Sequence, residues 1–234
     1  VDRMNRQLYL ECYSGISGDM MVAALLDLGA DEQILRKALA SLPVGGFEIA
    51  VTRKVKSGLD VCDFDVILDA EHENHDHDME YLHGHDHQHT HDHEHVHEDG
   101  SVHTHEHHHH DHSHDHHHDH GHHHEHRGLH EILHIIEHAD MTERAKETAV
   151  RIFQILAEAE SKAHGVPADQ VHFHEVGAVD SIVDILAVAI CLDNLDITEV
   201  IVPFLCEGQG SIRCQHGIIP VPVPAVVNIA QAHG

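Results

Sequence analysis

Apolar and polar residues follow two kinds of pattern along this chain, and each kind predicts a different secondary structure. Short apolar runs bounded by glycine, proline or small polar residues are typical of strands, whereas apolar residues recurring every three or four positions are typical of helices. We therefore expect strands over residues 6–12, 47–55, 61–68, 171–176 and 199–206. We expect helices over residues 20–28, 31–41, 129–138, 140–164 and 180–192, and a short helix from residue 225.

Strands that alternate with helices predict an α/β protein, with an α+β arrangement as the alternative. The architecture expected is a mixed sheet with helices packed against it, and residues 1–70 and 127–234 would be two parts of one domain. The helix over 180–192 is apolar nearly all round, which places it at the centre. Asp180 is expected to cap this helix, and Asp140 with Glu143 to form a capping box before the preceding one.

Residues 71–126 interrupt this domain with a different composition. They contain 27 histidines and 15 aspartates or glutamates, but no lysine or arginine. Because such a segment cannot bury apolar surface, we expect it to be disordered without metal. Imidazoles and carboxylates without fixed geometry should bind Ni, Cu, Zn and Co in rapid exchange, which predicts a metal store or delivery segment. Its candidate ligands are His107, His108, His109, His110, His116, His117, His118, His122, His123 and His124.

The charge balance excludes several classes of function. The chain has 13 Lys and Arg against 41 Asp and Glu, a formal net charge of −28. A chain this acidic lacks the basic surface that binds phosphates, so we expect neither nucleic acid nor membrane as a partner. Five cysteines without a CxxC pair favour a reducing compartment, and the N-terminal residues lack the apolar core of a secretory signal. We therefore expect a cytoplasmic location.

Histidines and carboxylates near residue 175 are candidates for ordered metal chemistry. His172 and His174 share one face of the expected strand and could chelate one ion, with Glu175 adding a carboxylate. Solvated or structurally satisfied histidines fit the same spacing. Asp180 and Asp184 lie one helical turn apart, and Asp184 has apolar neighbours. Its burial is costly unless it is paired or binds metal, so a structural acceptor and a site residue both stay open.

The turn Ser14-Gly15-Ile16-Ser17-Gly18-Asp19 joins the first expected strand to the first expected helix. Its glycines let a ligand approach the backbone, and a helix N-terminus favours anions. The turn lacks the P-loop lysine and the full dinucleotide fingerprint, and Asp19 would repel phosphate but could ligate a cation. A plain tight turn is the alternative. His216 lies in an extended proline-rich segment, near two cysteines in sequence but without a recognised metal-site spacing.

Three of these segments together resemble a known family. They are Tyr9–Met20, Val171–Ile185 and His216–Pro222, in this order around the histidine-rich insertion. The chain is similar in them to the LarC family, which inserts nickel into pyridinium-3,5-bisthiocarboxylic acid mononucleotide to form the nickel-pincer cofactor of lactate racemase. The resemblance implies a cyclometallase of the lyase class that forms Ni–S bonds and a Ni–C bond and converts CTP to CMP and pyrophosphate. It also implies a further C-terminal part that carries the CTP site and its divalent metal.

The resemblance implies the overall activity only, and the role of each candidate group is our own hypothesis. The histidine-rich segment would store Ni(II), and His172, His174 and Glu175 would hand it over. The mononucleotide pocket would be lined by Ser14, Gly15, Ser17, Gly18 and His216, and the chemistry would involve Asp19, Asp180 and Asp184. Expected partners are Ni(II), the mononucleotide and the C-terminal half, and a homo-oligomer is compatible with the sequence. Two other functions stay open: a non-catalytic nickel store or chaperone, and an unrelated metallohydrolase using the same histidines and aspartates.

Overall fold

The computed structural model describes residues 6–69, 127–173, 176–214 and 217–234, and the backbone of 95–96 and 102–103. The chain divides into two compact units, one formed by Val1–Asp76 with Glu125–Gly234 and the other by His77–His124. The expected ligands of the histidine-rich segment, and the disorder expected there, lie outside the described residues. The boundaries expected at residues 70 and 126 stay predictions.

The described residues contain six α-helices and ten short strands. The helices are α1 (Gly18–Asp27), α2 (Glu32–Ala40), α3 (Leu129–His138), α4 (Glu143–His164), α5 (Val179–Asn194) and α6 (Pro224–His233). The strands are β1 (Arg6–Tyr9), β2 (Phe47–Lys56), β3 (Leu59–Leu68), β4 (His95–Val96), β5 (Val102–His103), β6 (Arg127–Gly128), β7 (His172–Phe173), β8 (Ile197–Ile201), β9 (Gly210–Cys214) and β10 (Gly217–Val221). Within these residues no helix combines the length and the apolar character that a membrane crossing requires.

Strand directions are mixed, which confirms the expected α/β class. β1 and β8 pair in parallel, with Tyr9 opposite Ile201. The antiparallel pairs are β2–β3, β4–β5, β6–β7 and β9–β10, so the described strands pair two by two. The β2–β3 hairpin turns at Ser57 and Gly58, whose φ angles of 52° and 81° are those of the tight turns that match strand twist.

Helix α5 forms the centre of the core. Ile182, Val183, Leu186 and Ala187 are each 0% exposed. Around α5 pack α1, α2, α4, β3 and β8. A helix surrounded in this way must be apolar on nearly every face, which is what its sequence predicts. Any polar side chain on α5 is therefore informative, because its burial needs a partner.

The C-terminal end of α1 is tied to the β2–β3 hairpin by one carboxylate. Asp27 accepts a hydrogen bond from the Cys62 N–H at 2.9 Å and another from the Arg53 guanidinium. Arg53 also reaches Asp60, with 3.0 Å between Nη2 and Oδ2. The Cys62 N–H first, and then Arg53, lower the pKa of Asp27. This end of α1 is consequently held against the hairpin by charged hydrogen bonds.

One local expectation is wrong, and one strand was missed. α4 is capped by Thr142, whose Oγ1 accepts from the Ala145 N–H at 3.2 Å, and not by Asp140. The Thr142 hydroxyl also donates to Asp193 at 2.6 Å, a contact with α5 that local sequence cannot show. Asp140 instead pairs with Lys37 at 3.0 Å. Strand β9 was not expected at all, because its residues contain no apolar run and its pairing with β10 defines it.

Three expected strands are shorter than their sequences suggested. β1 ends at Tyr9 and β8 at Ile201, although Cys12 and Leu205 form one further parallel bridge beyond both ends. The strand expected over 171–176 contains β7, while residues 174–175 lie outside the described part of the chain. The pairing of β1 with β8 is therefore continued past the strand ends by an isolated bridge.

Replacing Ile182 by alanine should lower the free energy of unfolding by about 2–5 kcal/mol, because the truncation leaves a cavity at the centre of the core. Urea denaturation followed by circular dichroism measures this. Ile34→Ala is the matched control, since Ile34 is 47% exposed. The control should change stability by about 0.5 kcal/mol or less. Equal losses in the two variants would contradict the central position of α5.

Candidate functional site

Two chain segments leave the parallel strands β1 and β8 at the same edge. Past the strand ends, the Leu10 N–H donates to the Ile201 carbonyl at 2.9 Å, and the Cys206 N–H donates to the Cys12 carbonyl at 3.1 Å. The segments that follow the two strands therefore stay side by side. In α/β proteins ligands bind beyond the carboxyl ends of parallel strands. The turn over residues 14–19 lies at this edge.

The turn is held by its own backbone and by the segment after β8. Gly15 has a φ of 84°, a left-handed conformation that glycine adopts without strain. Its N–H donates to the Cys12 carbonyl at 3.2 Å, so it is already engaged within the protein. Ser14 and Ser17 are exposed, and the Ser17 hydroxyl donates to the Asp19 carboxylate. The turn thus presents hydroxyl groups and a carboxylate to solvent.

Helix α1 begins directly against Asp184 of α5. A Cβ at Gly18 would lie 2.5 Å from Asp184 Oδ2 and 2.7 Å from Asp184 Cβ, so no side chain fits there. The backbone N–H of Asp19 lowers the pKa of the Asp184 carboxyl. A side-chain carboxylate therefore occupies the place at the start of α1 where a phosphate would otherwise bind. This geometry favours a cation at the Gly18 end of the turn.

The negative charges of Asp19 and Asp180 act on the Asp184 carboxyl, and we call these three residues the carboxylate cluster, although their oxygens do not all lie within 4.8 Å of one another. The Oδ1 atoms of Asp180 and Asp184 are buried and have no hydrogen-bond partner among the described residues. Burial first, and then the negative charges of Asp19 and Asp180, raise the pKa of Asp184 to about 7, although the Asp19 N–H lowers it. Near neutral pH the cluster can accordingly take up either a proton or a cation.

Asp180 does not cap α5, contrary to the expectation from sequence. The helix begins at Val179 with Ala178 as its N-cap, and Asp180 makes no capping hydrogen bond. Because the helix starts upstream of Asp180, the carboxylate lies on its first turn, on the same face as Asp184. Helix capping therefore does not explain why a carboxylate is present at position 180.

The remaining expected site residues are less completely placed. His172 is exposed on β7, and a Cβ at Gly128 would lie 3.9 Å from its Nδ1. Among the described contacts, no hydrogen bond or ion pair joins His172 to the carboxylate cluster. His174, Glu175 and His216 lie outside the described residues. The structure thus brings together Ser17, Gly18, Asp19, Asp180 and Asp184, and the roles of all candidates stay predictions.

One group of possible metal ligands was missed in the sequence. His134, Glu137 and His138 lie on the exposed side of α3, and their ligand atoms are all within 4.8 Å of one another. The signal that could have found them is the spacing His-x-x-Glu-His, which places all three side chains on one helical face.

Replacing Gly18 by alanine should lower the free energy of unfolding by about 1–3 kcal/mol, because the new Cβ displaces the Asp184 carboxylate from the start of α1. Thermal and urea denaturation measure the loss. The matched control is Gly45→Ala, since a Cβ at Gly45 meets no atom within 4 Å. If both variants were equally stable, the close contact between Gly18 and Asp184 would be wrong.

Replacing Asp184 by asparagine should remove a pH dependence of stability. The pKa of Asp184 is raised from 3.8 to about 7, so the folded state holds this proton more tightly than the unfolded state does. The stability from this proton is complete below the unfolded pKa and is lost as the pH rises through about 7. With a chelator present, the free energy of unfolding of Asp184→Asn should be higher than that of the parent protein above pH 7. The difference should be about 1–2 kcal/mol, after allowance for partial solvent exposure.

Thermal unfolding from pH 4 to pH 8.5 measures this difference, which should shrink as the pH falls. The amide introduced by Asp184→Asn is close in size to the carboxyl group but does not ionise. Asp169→Asn serves as the control, because Asp169 is exposed on the 3₁₀ turn Ala168–Gln170. If the difference in stability between the Asp184 variant and the parent were the same at every pH, the pKa of Asp184 would not be raised.

The family model and the curated relatives that match this chain all describe nickel insertion proteins. Residues 8–234 match the family described as "Nickel insertion protein". A protein of Alkaliphilus metalliredigens (strain QYMF), named pyridinium-3,5-bisthiocarboxylic acid mononucleotide nickel insertion protein, is 48% identical over 231 residues, or 99% of this chain and 47% of that protein. Proteins with the same name from Clostridium acetobutylicum and Geobacillus kaustophilus are 44% and 39% identical, over 96% of this chain and 49% and 44% of theirs.

The chain therefore spans about half the length of the curated relatives it matches. No solved structure matches it. The family match includes the turn at residues 14–19, helix α1 and helix α5, and so the whole carboxylate cluster. Since the match covers nearly the entire sequence, this chain belongs to the nickel insertion protein family.

Proposed function

We propose that this chain is the part of a nickel insertion protein that holds Ni(II) and delivers it to pyridinium-3,5-bisthiocarboxylic acid mononucleotide. The names of the relatives supply the metal and its acceptor. The observation that carries the proposal is the pair of buried oxygens, Asp180 Oδ1 and Asp184 Oδ1, without a hydrogen-bond partner among the described residues. A buried acceptor left without a donor costs free energy, and one bound cation would satisfy both oxygens.

Charge supports a cation at this cluster. Asp19 and Asp180 repel a negative charge on Asp184, and a divalent ion reverses that repulsion. Because the ion displaces the proton of Asp184, nickel affinity should increase as the pH rises towards 7. Oxygen ligands bind Ni(II) less tightly than nitrogen or sulfur ligands do, so the ion can pass on to the sulfur atoms of the acceptor. The cluster therefore suits transfer better than storage.

The histidines take the earlier steps in this proposal. The segment over residues 71–126 collects Ni(II) through imidazoles in rapid exchange. His172, His174 and Glu175 are proposed to pass the ion towards the carboxylates. Because a single oxygen ligand holds Ni(II) less tightly than an imidazole does, the combined negative charge of the carboxylate cluster is proposed to draw the ion from the histidines.

The mononucleotide is proposed to bind at the edge formed by the ends of β1 and β8. Ser14, Gly15, Ser17 and Gly18 would line this pocket together with His216. Because Asp184 occupies the start of α1, the phosphate group is expected towards the Ser14 side, with the cation between it and the carboxylates. Exposed hydroxyl groups on Ser14 and Ser17 are donors suited to phosphate oxygens.

Formation of the Ni–C bond releases one proton from the ring carbon of the acceptor. Asp184, with a pKa of about 7, is a carboxylate that can accept this proton once nickel has moved to the acceptor. CTP and its divalent metal belong, in this proposal, to a C-terminal part outside this chain. The reaction would be that of a lyase-class cyclometallase in the cytoplasm, serving lactate racemase.

A nickel store or chaperone without chemistry is the second candidate, and the composition of residues 71–126 favours it. With 27 histidines, that segment alone could bind many ions. In this alternative the folded unit only carries the segment. The two functions make opposite predictions for variants in the carboxylate cluster.

The deciding experiment follows metallation of the pincer mononucleotide by absorbance and mass spectrometry. The reaction contains this chain, the C-terminal half, CTP and saturating Ni(II). The double variant Asp180→Asn/Asp184→Asn should lose metallation by at least about 100-fold, because both buried oxygens lose their charge. A chain lacking residues 72–126 should still metallate at saturating nickel and fail only when nickel is scarce.

Asp169→Asn is the control for the double variant and should metallate at the parent rate. Thermal unfolding of each variant separates loss of the site from loss of the fold. Full metallation by the double variant, or complete failure of the shortened chain at high nickel, would contradict delivery through the carboxylates. The second result would support delivery by the histidine-rich segment itself.

A further inference from the structure

Helix α3 carries a second group of metal-ligating side chains on its solvent side. Ile132, Ile135 and Ile136 bury the opposite face in the core. The remaining face presents His134, Glu137 and His138, all exposed. Residues at positions i, i+3 and i+4 of a helix project from adjacent points on its surface. The backbone therefore brings one carboxylate and two imidazoles together without help from other elements.

The geometry is close to that of a chelate. The ligand atoms of the three side chains lie within 4.8 Å of one another, and the two imidazole centroids are 4.1 Å apart. Two ligands bound to one ion at about 2.1 Å each are at most about 4.2 Å apart. Small rotations of these exposed side chains can bring their ligand atoms from within 4.8 Å to within about 4.2 Å of one another. The helix itself is fixed by its buried isoleucines, so little order has to be gained on binding.

A hydrogen bond at His138 prepares one nitrogen for a metal. Its Nδ1 lies 2.9 Å from the carbonyl oxygen of His134, which can only accept, so Nδ1 carries the proton. In the neutral ring the lone pair is then on Nε2. Metal-binding histidines usually hold their second nitrogen in this way, which fixes tautomer and orientation. His138 also lies in the last turn of α3, where the helix dipole favours a positive charge.

We propose that His134, Glu137 and His138, the α3 triad, form a Ni(II) site on the exposed face of α3, distinct from the carboxylate cluster at α1 and α5. Two imidazoles and one carboxylate suit Ni(II) and other late transition metals, and disfavour Mg²⁺. Three protein ligands leave coordination positions open, so water or an incoming ligand can exchange at the ion. Binding of metal alone defines this site, and the inference does not rest on the proposed function.

Histidine footprinting of the complete chain tests the site. Diethyl pyrocarbonate modifies accessible imidazoles, and peptide mass spectrometry measures each one separately as Ni(II) is added. His134 and His138 should become protected together. Mg²⁺ at the same concentrations should protect neither. Modification of both histidines at an unchanged rate in saturating Ni(II) would overturn the proposal.

A matched pair of variants separates chelation from binding by single histidines. His134→Asn should raise the nickel concentration that half-protects His138 about ten-fold or more, because the chelate loses a ligand. His130→Asn is the control, since His130 is exposed one turn earlier on α3 and lies outside the triad. It should leave His138 protection unchanged. Equal shifts in the two variants would show that His138 does not share its ion with His134.

The carboxylate variants keep this inference separate from the proposed function. Asp180→Asn/Asp184→Asn should show the same nickel protection of His134 and His138 as the parent chain. Loss of that protection in the double variant would mean that the two sites are not distinct, and would overturn the inference whatever the outcome of metallation.

Discussion

Helix α1 starts against the carboxylate of Asp184, and this contact joins the two helices that frame the candidate site. Gly18 is the residue that lets the carboxylate approach, since a Cβ there would lie 2.5 Å from Asp184 Oδ2. The backbone N–H of Asp19 lowers the pKa of the same group. At its other end α1 is held by Asp27, which accepts from the Cys62 N–H. Carboxylates thus contact both ends of the helix, and its C-terminal end is also closed by the hydrogen bonds from the Gly29 and Ala30 N–H groups to the Leu26 and Leu25 carbonyls.

Placing these carboxylates in the core destabilises their charged form. α5 is the central apolar helix of the core, yet it carries two carboxylates on its first two turns. Burial and like charge raise the pKa of Asp184, so a negative cluster is unstable there by itself. The α3 triad differs, because its two imidazoles lie on the surface and can exchange an ion with solvent.

Much of the fold was predictable from the sequence because its causes are local. Helical periodicity identified α3, the tight turn at Ser57 and Gly58 identified the β2–β3 hairpin, and an all-round apolar sequence placed α5 at the centre. Motif spacing also marked Asp180 and Asp184. The α4 cap was misplaced because the Thr142 hydroxyl that forms it also contacts Asp193, 51 residues away.

What only the tertiary structure decided is which groups meet. Gly18 and Asp184 are far apart in sequence, and nothing local to either predicts that one must lack a side chain to admit the other. The raised pKa of Asp184 and the unpartnered oxygens follow from that meeting, because burial and neighbouring charge are properties of packing. Sequence by itself thus determined most of the elements and the candidate residues Asp19, Asp180 and Asp184. Long-range packing determined which candidates share one site, because contact distance and desolvation exist only in the folded chain.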